Sequence, residues 1–144
     1  MKTISCLLFT ILIPGCYPIN KTIQPRAEML VVDEAGNPVN DAIVTLISGA
    51  YPYGEERTRM SVKTDYSGKA KFPKIKDWRI ESLMIHGAES YYWSWCIYKE
   101  GFLTYEVGKG GADGFSPKAQ TTLKPGVATQ CSSILQQWES VERP

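Results

Sequence analysis

The amino-acid sequence predicts an all-β protein, an antiparallel β-sandwich of about seven strands. Three features carry that expectation. Two phrases, Met29 to Thr45 and Val62 to Phe72, each run from β-branched residues into an Asp, a Gly three residues on, and a fresh apolar run, as strands do where they reverse. Gly and Pro recur at short intervals and long helical runs are absent. Apolar residues alternate with charged or polar ones in Thr58 to Thr64 and in Lys69 to Phe72, the pattern of strands with one wet face.

Length and charge limit the function classes. At 144 residues the chain fits one domain with an ordinary core. Lys and Arg total 16 against 15 acids; without Lys2 the count is fifteen against fifteen, with the signs interspersed. Such a balance gives no electrostatic footprint for nucleic acid.

The N-terminus reads as an address. Lys2 supplies a positive start and Ile4 to Ile13 is apolar, well short of the roughly twenty residues of a bilayer span, so residues 1–15 are expected to be a cleaved signal peptide. Ile13-Pro14-Gly15-Cys16 resembles a bacterial lipobox, which implies that Cys16 is lipid-modified and becomes the mature N-terminus. The plainer alternative is an ordinary secretory signal cut nearby, leaving Cys16 a thiol. Lipid at Cys16 would make the membrane contact covalent. The absence of Asp at position 17 implies, by the sorting rule of such lipoproteins in a Gram-negative host, an outer-membrane protein facing the periplasm. Residues 16–26 contain Pro18 and Pro25 and read as an extended tether, leaving 27–144 as the domain.

Along that domain, Ala27 to Asp33 is the first expected strand, turned by Glu34 to Pro38, and Ala42 to Ser48 is the second. Tyr51 and Tyr53 flank Pro52 in a loop suited either to stacking on a ligand or to covering a sheet edge. Two further strands meet at Asp65-Tyr66-Ser67-Gly68. Residues 79–87 fit a short helix and a strand alike. Tyr91 to Lys99 is the most aromatic element, with Tyr91, Trp93, Trp95 and Ile97 on one face and Tyr92, Ser94, Cys96 and Tyr98 on the other. Leu103 to Val107 and Gln120 to Lys124 complete the strands, with a glycine-rich loop at 108–117 between them. Ile134, Leu135, Trp138 and Val141, with Ser133 and Gln136 placed as a capping box, fit a short terminal helix.

Val31, Asp33, Gly36, Pro38, Val39, Ala42 and Val44, followed by Thr64, Asp65, Gly68, Ala70 and Phe72, resemble the paired phrases of carboxypeptidase regulatory-like domains. The resemblance covers Met29 to about Val107. It implies a prealbumin-like or immunoglobulin-like sandwich, and the matching residues shape turns and core.

The candidate chemistries are thin. With Cys6 in the leader and Cys16 assigned to lipid, Cys96 and Cys131 remain; an even pair in an exported chain reads as a disulfide, against the alternative of two separate buried thiols. His86 is the single histidine and has no partner at metal-ligand spacing, so neither a metal nor a cofactor is expected. No Gly-x-Ser-x-Gly elbow accompanies Ser82, Ser90 or Ser94, and Gly108 to Gly114 matches neither a P-loop nor a dinucleotide fingerprint. Hydroxyisourate hydrolases share a transthyretin-like sandwich but need several histidines and a C-terminal Tyr-Arg-Gly-Ser signature, which this chain lacks. Asp33, Asp65 and Asp113 sit at turns, where a carboxylate bonds local amides. The expectation is a non-catalytic, lipid-anchored envelope module for protein contact or scaffolding. The alternative is a carbohydrate-binding module stacking sugars on Tyr91, Trp93 and Trp95, which requires those rings to be exposed; if they face inward they are core.

Overall fold

The computed structural model describes residues 16–51, 55–82, 89–107 and 115–132, and no helix occurs among them. Their strands are β1 (Cys16–Gln24), β2 (Ala27–Val32), β3 (Ile43–Tyr51), β4 (Glu55–Lys63), β5 (Lys69–Phe72), β6 (Ile75–Ser82), β7 (Ser90–Tyr98), β8 (Tyr105–Val107) and β9 (Lys118–Thr122). One sheet has the order β4-β3-β7-β8, a second β5-β2-β9, and β1 with β6 forms a two-stranded ribbon.

The two larger sheets make the sandwich. Met29 and Val31 of β2, Ala70 and Phe72 of β5, Val44 and Leu46 of β3, and Trp95 and Ile97 of β7 form one buried cluster. These residues are two apart along each strand, so period-two alternation delivers them to the same side. Phe72 meets Trp95 edge-on, centroids 5.4 Å apart at 66°, the geometry that ring quadrupoles favour. On the far face of the larger sheet, Ile47 and Cys96 are buried beside Tyr92 and Cys131, so β3 is covered on both sides and is buried along almost its whole length.

Nine strands stand among the described residues where about seven were expected, and three further features go beyond the sequence reading. Residues 16–24, read as part of a tether, form β1, antiparallel to β6 from Cys16↔Ser82 to Gln24↔Ile75. Pro18 is accommodated because β6 is the one neighbour of β1 among the described strands, and an edge tolerates a residue without an N–H. Residues 75–82 are strand, which decides the ambiguous stretch as far as Ser82. The β2–β9 pair is parallel, Glu28↔Lys118 to Val32↔Thr122, because the chain crosses to the other sheet and back before β9 returns to β2. The leader, Pro52 and Tyr53, residues 83–88 with His86, the glycine-rich stretch with Asp113, and the expected C-terminal helix lie outside the described residues.

β1 and β2 are one bent strand, and so are β5 and β6. Ala27 pairs with Phe72 and Gln24 with Ile75, so the pairing of 16–32 with 69–82 continues across a break at Pro25 and Pro73. Neither proline can donate to the ladder, and a register shift between Thr22 and Gln24 bends the ribbon further. Gln24, fully buried at the bend, donates from Nε2 to the Pro73 carbonyl at 2.8 Å. Beyond it, Ile23 packs with Ala50, Tyr91 and Ile75, seating the ribbon on the end of the larger sheet.

The two Asp-to-Gly phrases form matching turns. Asp33 Oδ1 accepts from the amides of Ala35 (2.9 Å) and Asn37 (2.8 Å); Asp65 Oδ1 accepts from those of Ser67 (2.8 Å) and Lys69 (3.0 Å). Gly36 and Gly68 close them with φ of +82° and +72°. The turns also dock on each other: the Val31 amide donates to the Gly68 carbonyl at 2.8 Å, and a Cβ on Gly68 would stand 2.5 Å from the Val31 carbonyl oxygen and 3.1 Å from Pro38 Cβ. At Gly36 the same atom would meet nothing. Gly36→Ala should therefore cost the left-handed penalty alone, about 1–2 kcal/mol. Gly68→Ala should cost more, because backbone must also move, and urea denaturation of the two variants side by side measures the difference. Equal losses would mean that the turns do not bear on each other.

Candidate functional site

The aromatic strand is core. Trp95 is 3 % exposed and Tyr91 7 %, while half-buried Trp93 donates from Nε1 to the Ile23 carbonyl at 2.8 Å. Phe115 stacks on Trp95 with centroids 5.5 Å apart and tilts against Trp93 at 5.6 Å. β7 lies between β3 and β8 with the second layer over it, so a row of rings on its inner face fills the sandwich instead of meeting a ligand. The stacking platform expected of Tyr91, Trp93 and Trp95 is thus not on the surface. A cavity of about 200 Å³ remains beside these rings, bordered by Met29, Tyr105 and Ala119. The Trp95 Nε1 donor is buried with no hydrogen-bond partner among the described residues.

The carboxylates at the turns are occupied by local donors. Besides its two amides, Asp33 takes the Asn37 side-chain amide at 3.1 Å, and Asp65 takes the Ser67 hydroxyl at 2.7 Å. These bonds, led by the Asn37 side chain at Asp33 and the Ser67 hydroxyl at Asp65, hold both carboxyls below their usual range. An acid so engaged is a poor general base and a poor calcium ligand.

Cys96 and Cys131 are joined, with Cα atoms 5.9 Å apart. Their link closes a 35-residue separation and pins the 131–132 segment to β7. Glu106 lies 3.7 Å from Cys96 Sγ and accepts the Ser132 amide at 2.5 Å. Cys96, Glu106 and Cys131 bring potential ligand atoms within 4.8 Å of one another, but sulfurs bonded to each other offer no thiolate, so the grouping reads as a braced disulfide.

The polar chemistry that sequence reading missed lies where the ribbon meets the sandwich. Lys21 of β1 forms an ion pair with Glu81 of β6, whose side chain is 5 % exposed. Glu81 also accepts from the Tyr17 hydroxyl (3.5 Å) and the Glu89 amide (3.3 Å). Glu89 in turn pairs with Arg57 of β4 and accepts the Tyr91 hydroxyl at 2.9 Å. Two cations and two carboxylates from four parts of the chain thus form a neutral seam. The hydrogen bond from Lys21 holds the Glu81 carboxyl below its usual range, and burial followed by the bond to Glu89 pushes the Tyr91 phenol up. The available signal was alternation: Ile75, Asp77, Arg79 and Glu81 share one side of β6, and Lys76, Trp78 and Ile80 the other.

An open groove of about 760 Å³ lies at the end of the smaller sheet, with Arg26, Lys71 and Lys118 around Phe72 and a single carboxylate, Glu28. Glu28 is the register partner of both lysines, which offsets part of their charge.

At the far end of the ribbon stands Cys16, the free cysteine among the described residues, exposed, with its Cα opposite Ser82. Five residues separate it from Lys21 at the seam, about 17 Å of extended chain. Tyr17, beside it, is the register partner of Glu81, so Cys16 stands at the exposed end of the ribbon, one residue pair beyond the seam.

Two measurements check this account. Cys131→Ser should remove about 3–4 kcal/mol of stability by releasing the unfolded-state constraint, read from denaturant midpoints under non-reducing conditions. Asp33, Asp65 and Glu81 have folded pKa values below their unfolded ones, so the stability they confer is fully present above about pH 5 and is lost as pH falls through the depressed folded values. The urea midpoint should fall on that acid limb, and Asp33→Asn/Asp65→Asn/Glu81→Gln should flatten it; an equally steep limb in the variant would assign it to other groups. No family model, curated protein or solved structure matches this chain.

Proposed function

We propose that the chain is a lipid-anchored module of the cell envelope, held to the membrane through Cys16 and serving protein contact or scaffolding without catalysis. The observation that carries the reading is the placement of Cys16. It is exposed and not disulfide-bonded at the end of the β1–β6 ribbon, one residue pair beyond the seam, while Cys96 and Cys131 are bonded to each other in the body. A thiol so placed suits a covalent anchor better than a structural role. The apolar leader ending at Cys16 and its lipobox-like close support the same reading. The paired Asp-to-Gly turns, which resemble those of carboxypeptidase regulatory-like domains, support a binding or scaffolding body: they spend their acids on amides and leave rigid edges and loops for contact.

Metabolic labelling with palmitate, intact mass and membrane fractionation test the anchor in cells expressing the full chain. Wild type should carry label and sediment with membranes, on the outer membrane if the host is Gram-negative. Cys16→Ala should lose the label and move to the soluble fraction, and unchanged fractionation would refute the anchor. In-cell crosslinking of the wild type should capture an envelope protein.

A further inference from the structure

The ribbon carries a largely uncharged face whose Trp78 and Ile80 pack against none of the described residues. Residues opposite one another in an antiparallel pair share a face, and that face recurs every second residue. In the register Cys16↔Ser82, Pro18↔Ile80, Asn20↔Trp78 and Thr22↔Lys76, one side of the ribbon therefore presents Cys16, Pro18 and Ile80, then Trp78 beside the uncharged Asn20, then Lys76 beside Thr22. Ile80 is 80 % exposed, Trp78 67 %, and Cys16, Pro18 and Lys76 are exposed too. Single exposed apolar residues are common, but here they are contiguous. Asp77, Arg79 and Glu81 alternate to the opposite side, where Arg79 pairs with Asp77 at 3.3 Å and Glu81 with Lys21, so this face carries no carboxylate.

We propose that this outer face of the β1–β6 ribbon meets the lipid surface at an incline, its Cys16 end deepest, with Pro18 and Ile80 at the acyl chains, Trp78 at head-group level and Lys76 at the phosphates. The inference rests on the acylation of Cys16 proposed above. Its support is the order of side chains away from that residue: aliphatic first, then indole, then ammonium, in steps of about 7 Å. A bilayer interface presents its partners in the same order with height, since indole favours the head-group layer and lysine reaches anionic phosphate. An acid-free face complements an anionic surface, and a protein partner would give no reason for this sequence of chemistries along the strand. Anchoring also holds the ribbon tip within one residue pair of the lipid. The contact is then intramolecular in its energetics, so one isoleucine and one tryptophan suffice to keep it.

The test uses the full acylated protein, purified from cells and reconstituted in vesicles of phosphatidylethanolamine and phosphatidylglycerol, with or without bromine on the acyl chains. The difference in fluorescence between wild type and Trp78→Phe isolates Trp78. The expected result is blue-shifted Trp78 emission that loses most of its intensity on brominated lipid. Ile80→Asp should return the emission to its water-exposed position while the palmitate label persists. Label present with red, unquenched Trp78 emission overturns the ribbon contact and leaves the anchor standing. Absence of label overturns both. Blue-shifted emission that bromine does not quench, with a crosslinked dimer in vesicles, assigns the face to a second copy of the chain and likewise overturns the lipid contact.

Discussion

The bend in the long ribbon is the constraint on which the rest of the molecule depends. Pro25 and Pro73 fall close together on paired strands, and neither can donate a ladder hydrogen bond. On one side of the break the ribbon is β2–β5, the centre and one edge of the smaller sheet; on the other it is β1–β6 and leaves that sheet. The fully buried Gln24 ties the break to the Pro73 carbonyl, and Ile23 with Tyr91 and Ala50 fixes the angle. One long pair of strands thus serves two roles.

Polar groups follow the same division of labour. In the body, Asp33 and Asp65 are saturated by amides of their own turns, and the turns lock through Val31 and Gly68. At the junction, Lys21, Glu81, Glu89 and Arg57 balance in charge and connect β1, β6, the approach to β7, and β4. Desolvating ions weighs against such a seam as a source of stability, but a misplaced ribbon would take Glu81 from the Glu89 amide and Lys21 from the Glu89 carbonyl, so the seam favours one docking angle. A ribbon held at one angle is what the proposed lipid contact needs.

The aromatic strand illustrates how burial settles a question of role. Rings that would suit a sugar platform if exposed are instead the inner layer of the sandwich: Trp95 between Phe72 and Phe115, and Trp93 donating to Ile23. The disulfide acts from the other side of the same strand, where Cys96 tethers the segment at Cys131.

The all-β class, the strands from Ala27 to Phe72, the aromatic strand, the two turns and the pairing candidates Cys96 and Cys131 were all legible in the residues alone. These rest on local physics: period-two alternation, amide-capping Asp, and glycines at positive φ. The pairing of residues 16–24 with 75–82 emerges from the fold, because Pro18, Pro25 and weak β propensity read locally as a tether while the partner that stabilises the strand lies some sixty residues away. The fold also decided which face of β7 is core, since alternation names two faces and only the packing of β2, β5 and Phe115 chooses between them. The seam and the unpartnered ribbon face were hidden for the same reason. Each is assembled from residues distant in sequence, and charge or apolarity at single positions does not announce what stands opposite.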